Sequence, residues 1–239
     1  MFFLQSSESS SYSWWVPLTF TFPQQGFNET YSKTWLKKGE ESKRVGGLPE
    51  SLTPVIFNVQ ETGYYRLDQE KVKLRVIVTK FRVNYDKKNW ELIRQQLMKN
   101  HTAIHVINRA QILNDALNLA KSDHLDYETA LGLTEYLSNE VEYIPWSAAL
   151  TGLSYINKMM KRTPAYGDFK RYMLNLVEPL YSKLGFNPRA EDSHLDIKLR
   201  AQVVSWACSM GHTDCLYTAG QNFNDWMGMV QPDAERANP

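Results

Sequence analysis

Neither sign of charge dominates this chain: 27 Lys and Arg stand against 26 Asp and Glu, a formal charge of +1 over 239 residues. Without a basic excess there is no electrostatic footprint for a polyanion, so nucleic acid and acidic membrane surfaces are set aside as partners. No apolar run approaches the roughly 20 residues of a membrane-spanning helix. The start, Met1-Phe-Phe-Leu-Gln-Ser-Ser-Glu8, has no basic n-region and only a very short apolar run, so it does not read as a secretory leader. A G-x-S-x-G elbow, a Walker loop and a Gly-rich dinucleotide turn are all missing, which removes the common signatures of acyl transfer, phosphate binding and hydride transfer. Cysteine is limited to two residues, so the fold must be held by its core and not by a disulfide framework.

What is present is ordinary globular material, 43% apolar and 22% charged, long enough for one large domain or two modest ones. The stretch from His105 to Ala120 organises the rest. Ile107, Ala110, Leu113, Leu117 and Ala120 recur at steps of three and four, while Arg109, Asn114, Asp115 and Asn118 fall mostly elsewhere, which predicts an amphipathic helix with one buried face. Upstream, Val16, Leu18, Phe20 and Phe22 alternate with Trp15, Pro17, Thr19 and Thr21, a half-buried strand. Trp35-Leu36 and Val55-Ile-Phe-Asn-Val59 are further strand candidates, and Val72, Leu74, Val76 and Val78 give residues 67–82 strand periodicity. Downstream come apolar stripes of helical period: Trp90, Ile93 and Leu97; Tyr127, Leu131, Leu133 and Leu137 behind an Asp126 N-cap; Trp146, Ala149, Leu153, Ile156 and Met160. Two more follow, Phe169, Met173, Leu176, Leu180 and Leu184 stopped by Gly185, and Leu199, Val203, Trp206 and Met210 stopped by Gly211; Leu216, Ala219, Phe223 and Trp226 mark the last helix. The expected fold class is α+β: a small antiparallel β-sandwich over residues 1–86, then an α-helical superhelical domain of the HEAT/armadillo kind over residues 87–239.

Few residues suggest chemistry. His101-Thr-Ala-Ile-His105 has the i, i+4 spacing that lets two imidazoles share a helical face and grip zinc, with His124 a conceivable third ligand. A hydrolytic zinc helix needs a Glu directly after the first His as general base, and that place is Thr102, so no metal or catalytic residue is assigned. The tryptophans, at positions 14, 15, 35, 90, 146, 206 and 226, are spread over both halves and read as core. Cys208-Ser-Met-Gly-His-Thr-Asp-Cys215 places the thiols at two helix ends across a Gly211 turn, compatible with a disulfide and equally with two buried free thiols. Asn28-Glu-Thr30 and Asn100-His-Thr102 are glycosylation sequons.

Several motifs taken together resemble the aminopeptidase N family of zinc metallopeptidases, most of all its insect midgut members. They are Trp14-Trp-Val-Pro-Leu-Thr19, Phe57-Asn-Val-Gln-Glu-Thr-Gly-Tyr-Tyr-Arg66, Val83-Asn-Tyr-Asp86 with Asn89-Trp90, Asn108-Arg-Ala-Gln-Ile-Leu-Asn-Asp-Ala116, Tyr143-Ile-Pro-Trp146, and the paired cysteines. The resemblance implies the carboxy-terminal portion of such an enzyme, the sandwich and the start of the helical domain, with zinc and the catalytic domain elsewhere in the parent. The family's H-E-x-x-H helix and G-A-M-E-N loop are absent, so no cofactor is expected in this chain and no activity from it alone. The resemblance further implies a Cys208–Cys215 disulfide, a home at the extracellular face of the plasma membrane, and as partners the parent's catalytic domain. An alternative reading is a helical binding module without activity, offered to peptides or to the bacterial toxins that meet related insect enzymes. Residues 67–82 depart from the family, whose strand runs from Gly-Tyr-Tyr-Arg straight into Val-Asn-Tyr-Asp. An unspliced intron or gene-model error is the hypothesis; mature transcripts read consistently through the segment would end it.

Overall fold

The computed structural model describes residues 15–27, 29–38, 42–43, 45–49, 52–62, 66–70, 73–77 and 82–228. Trp14, Asn28, Val72 and Val78, all named above, lie outside them. The strands are β1 (Val16–Leu18), β2 (Phe20–Thr21), β3 (Thr34–Leu36), β4 (Ser42–Lys43), β5 (Ile56–Phe57), β6 (Arg66–Glu70), β7 (Lys73–Ile77) and β8 (Val83–Asn84). The helices are α1 (Lys87–Asn100), α2 (Val106–Lys121), α3 (Tyr127–Gly132), α4 (Tyr143–Met160), α5 (Tyr166–Leu184), α6 (His194–Met210) and α7 (Thr213–Gly228). The α+β class therefore stands, with helix predominant and the strands shorter than their alternation predicts.

β1 pairs antiparallel with β3 and β2 with β5, while β4, β7, β6 and β8 form a four-stranded sheet in that order. The segment that interrupts the family motif supplies a hairpin: β6 and β7 pair antiparallel with Leu67 opposite Val76, and β8 then lies parallel to β6 with Val83 opposite Leu67.

The chain divides into two compact units, residues 1–136 with 148–152, and residues 137–147 with 153–239. In the first, Val16, Leu18, Phe20 and Leu36 are buried, but the expected alternation is corrected beyond Leu18: Thr19 and Thr21 are 2 and 0% exposed and Phe22 only half-buried, the strand breaking at Thr19 into β1 and β2 with separate partners. Tyr85 meets Trp90 edge to face, ring centroids 4.7 Å apart, and Trp90, Ile93 and Leu97 bury the face of α1 that their spacing predicts. The expectation of one buried face on α2 is corrected. Ile107 is only half-buried, whereas Asn108, Arg109, Gln111 and Asp115 are 0, 5, 4 and 2% exposed. Apolar periodicity cannot register a helix whose polar side chains are also covered. α4 comes close to α2 at Gly152, where a Cβ would stand 2.6 Å from Leu117 Cδ1.

In the second unit Phe169, Met173, Leu176, Leu180 and Leu184 are all buried along α5, as expected. Pro179 lies inside this helix on its exposed side, where water can take the Asn175 carbonyl that proline, having no N–H, leaves unbonded. Asp126 and Gly211 punctuate the chain as expected, and the Ser193–Asp196 box at the start of α6 is an addition to the caps that the sequence predicts. Asp126 caps α3 by accepting from Thr129 N at 2.6 Å, Ser193 and Asp196 form a capping box on α6, and Gly211 ends α6 at φ +96°.

Two further expectations are corrected. Trp90 and Trp146 are core, but Trp15 and Trp35 are 57 and 46% exposed, because they share the outer side of the β1–β3 ribbon. On α7 the stripe does not close: Leu216 and Phe223 are about half exposed, and among the described residues no later element packs on them.

Candidate functional site

α2 presents its polar stripe, Asn108, Gln111 and Asp115, to backbone that cannot bond within its own short strands. Asn108 Nδ2 donates to Phe27 O at 3.2 Å while its Oδ1 accepts from Gln60 N at 2.6 Å. Gln111 Nε2 donates to Phe57 O at 3.2 Å, and Asp115 Oδ2 accepts from Val83 N at 2.9 Å. From α1, Asn89 both accepts from Val55 N and donates to Val55 O, at 2.9 and 2.8 Å. Tyr85 O–H receives Phe57 N at 3.0 Å, and Thr19 Oγ1 receives Val59 N at 2.9 Å. Strands of two or three residues leave many backbone groups without a ladder partner, and orphaned buried groups cost about 1 to 3 kcal/mol each. These side chains remove that cost. Asn108 also fixes Gln60, which with Asn58 and Glu61 lies in the left-handed region, at φ 54, 53 and 53°, a conformation that costs on the order of 1 kcal/mol or more per residue.

Burial pushes the Asp115 carboxyl well above the usual carboxylate range, against the pull of the Val83 N–H and the Arg82 charge. Arg109, also buried, donates to the carbonyl of Ile104 and ties the entry of α2 to the turn before it. Beside α1 and α3 an open groove of about 790 Å³ is lined by Trp90, Glu91, Arg94, Asp126, Thr129 and Glu135 among others. Of the cations that line it, Arg94 is already committed, donating to Glu135 at 2.6 Å.

The histidine pair does not form the face its spacing suggests. His101 begins a 3-10 turn beyond α1, Ile104 is extended at φ −92°, and His105 is the N-cap of α2, its Nδ1 accepting from Ile107 N at 3.3 Å. With one imidazole nitrogen committed and the helix broken between them, these residues do not fit a zinc site. Among the described residues no cluster of three His, Cys, Asp or Glu could hold a metal.

In the second unit a disulfide joins Cys208 and Cys215, Cα atoms 5.2 Å apart, across the turn between α6 and α7. His212 lies in that turn; its Nδ1 accepts from Cys215 N at 3.2 Å and its Nε2 meets Glu178. Tyr181 donates to Asp214 Oδ2 at 2.7 Å, and burial together with that acceptor raises its phenol above the usual range. Nearby, Arg200 grips Asp192 with two nitrogens and caps Leu184 O at the end of α5. The Arg200 guanidinium, helped by the Arg189 N–H, holds the Asp192 carboxyl down at about 2. Period and spacing missed Asn108, Gln111 and Asp115 altogether; the only sequence signal for them was the motif that carries the family resemblance.

Against known proteins, the model of the ERAP1-like C-terminal domain matches residues 54–237. The chain belongs to that family. The chain is 35% identical over 230 residues to aminopeptidase N of Plutella xylostella, covering 94% of this chain and 22% of that protein. It is 32% identical over 226 residues to the thyrotropin-releasing hormone-degrading ectoenzyme of Rattus norvegicus, covering 92% and 20%. Human aminopeptidase N is 37% identical over 177 residues, covering 72% and 17%. The chain thus spans about a fifth of the length of these relatives, and is similar to the carboxy-terminal portion of aminopeptidase-N-type enzymes. No helix among the described residues is long and apolar enough to cross a membrane.

Proposed function

We propose that this chain is a non-catalytic carboxy-terminal portion of a zinc-dependent aminopeptidase that releases N-terminal residues from peptides, and that it scaffolds and covers a catalytic domain outside this sequence. The observation that carries the reading is the family match over residues 54–237. It is supported by where the polar side chains go: Asn89, Asn108, Gln111 and Asp115 bond to internal backbone, which builds a rigid support. Residues 1–86 are assigned to the sandwich and 87–239 to part of a superhelical array, with the exposed side of α7 as the face a further helix pair covers. Zinc belongs to the parent's catalytic domain, and the extracellular face of the plasma membrane is its place, a reading supported by relatives that include an ectoenzyme.

The test is a graft. Replacing the matching segment of Plutella xylostella aminopeptidase N with this chain should give a folded enzyme that retains zinc-dependent hydrolysis of aminoacyl chromogenic substrates. A folded, zinc-loaded chimera without activity would overturn the scaffold role.

A further inference from the structure

We infer that Asn100 is an N-glycan acceptor whose side chain is presented by the native fold, so that the end of α1 stays in solvent in the assembled enzyme. The inference rests on the secretory placement of the parent proposed above. Asn100 closes α1, is exposed, and begins the sequon Asn100-His-Thr102, whose Thr102 is exposed as well. Ala103 N–H, which can only donate, lies 3.3 Å from Asn100 Oδ1, and Thr102 Oγ1 reaches the same oxygen at 2.8 Å. Those two donors fix which end of the amide is oxygen. Nδ2 is thereby the end turned to solvent, and among the described residues it donates to nothing.

The neighbouring chain leaves room. The corner between α1 and α2 turns through the 3-10 segment His101–Ala103, and Met98 and Lys99 beside it are exposed. In the transfer, Nδ2 forms a bond to the anomeric carbon of a lipid-diphosphate-linked oligosaccharide, the lipid diphosphate leaves, and one amide proton goes to solvent. A glycan there bars this corner from any contact with the catalytic portion, which restricts the surfaces that can serve as the interface.

The full chain, placed behind a cleavable leader and translated with microsomes, tests this independently of where the natural enzyme resides. In an Asn28→Gln background a single endoglycosidase-sensitive mobility step is expected; Asn100→Gln or Thr102→Ala should remove it, and Thr102→Ser should keep it. Because the leader supplies import, failure of the extracellular reading leaves this outcome untouched. Imported, protease-protected Asn28→Gln chain lacking the step would overturn the inference, whether or not the variants fold. The secreted chain and its enzymatically deglycosylated form should melt at the same temperature; a lower Tm for the glycosylated form would contradict native presentation.

Discussion

Asp115 and Asp192 are both carboxyls that hold structure together, and their pH behaviour should run in opposite directions. The folded-state pKa of Asp115 is raised, chiefly by burial, so its contribution is complete below the unfolded value of about 3.9 and is lost as pH rises through the folded value. Asp115→Asn keeps an oxygen for the Val83 N–H and carries no charge. The variant should therefore gain stability relative to the parent as pH rises from 4 to 8 in thermal melts; a parallel pair of Tm curves would refute the buried-carboxyl argument. Asp192 is depressed to about 2 by Arg200, so what it contributes is present above about 3.9 and disappears as pH falls through about 2. Asp192→Asn should lower Tm at pH 6 and lose its penalty near pH 2, read by circular dichroism across that range. Equal penalties at both ends would mean that the charge on Asp192 does not matter. Neither residue was legible from period or composition, since a buried Asp and a solvated one look alike until the donor it answers, the distant Val83 N–H or the Arg200 guanidinium, is in place.

For whole elements, sequence reasoning succeeded where the signal was local and failed where the partner was remote. The α5 stripe, the Asp126 cap and the Gly185 and Gly211 stops each depend on neighbours within a turn or two, and all were readable. α2 was misjudged because its second buried face is polar and answers strands more than twenty residues away. Within residues 67–82 the described stretches 67–70 and 73–77 are extended as their alternation predicts, but no pattern announced that they pair with each other antiparallel, with β8 laid parallel alongside. The crossing of α2 and α4 makes a sharper prediction. A methyl added at Gly152 would press on Leu117 Cδ1 and Cβ, 2.6 and 2.8 Å away, within a packed region. Gly152→Ala should cost about 1 to 3 kcal/mol by denaturant melt despite the better helix propensity of alanine; a gain in stability would show that the helices separate freely there.

At the scale of the molecule, the fraction of a relative's length that this chain spans bears on how it behaves alone. Leu216, Phe223 and Met227 are each about half exposed on α7, at spacings that put them on one side of the helix. An apolar stripe of this kind drives association. Sedimentation velocity should show concentration-dependent self-association of the isolated chain, and the pair Leu216→Lys, Phe223→Lys should abolish it; a parent chain that stays monomeric throughout would deny that the stripe is an interface in waiting. The central claim is that the chain supports a metal centre it does not contain. Purified chain with equimolar zinc, offered an aminoacyl chromogenic substrate, tests it most directly: no release above the blank is predicted, and chelator-sensitive, zinc-dependent turnover by the chain itself would contradict the account.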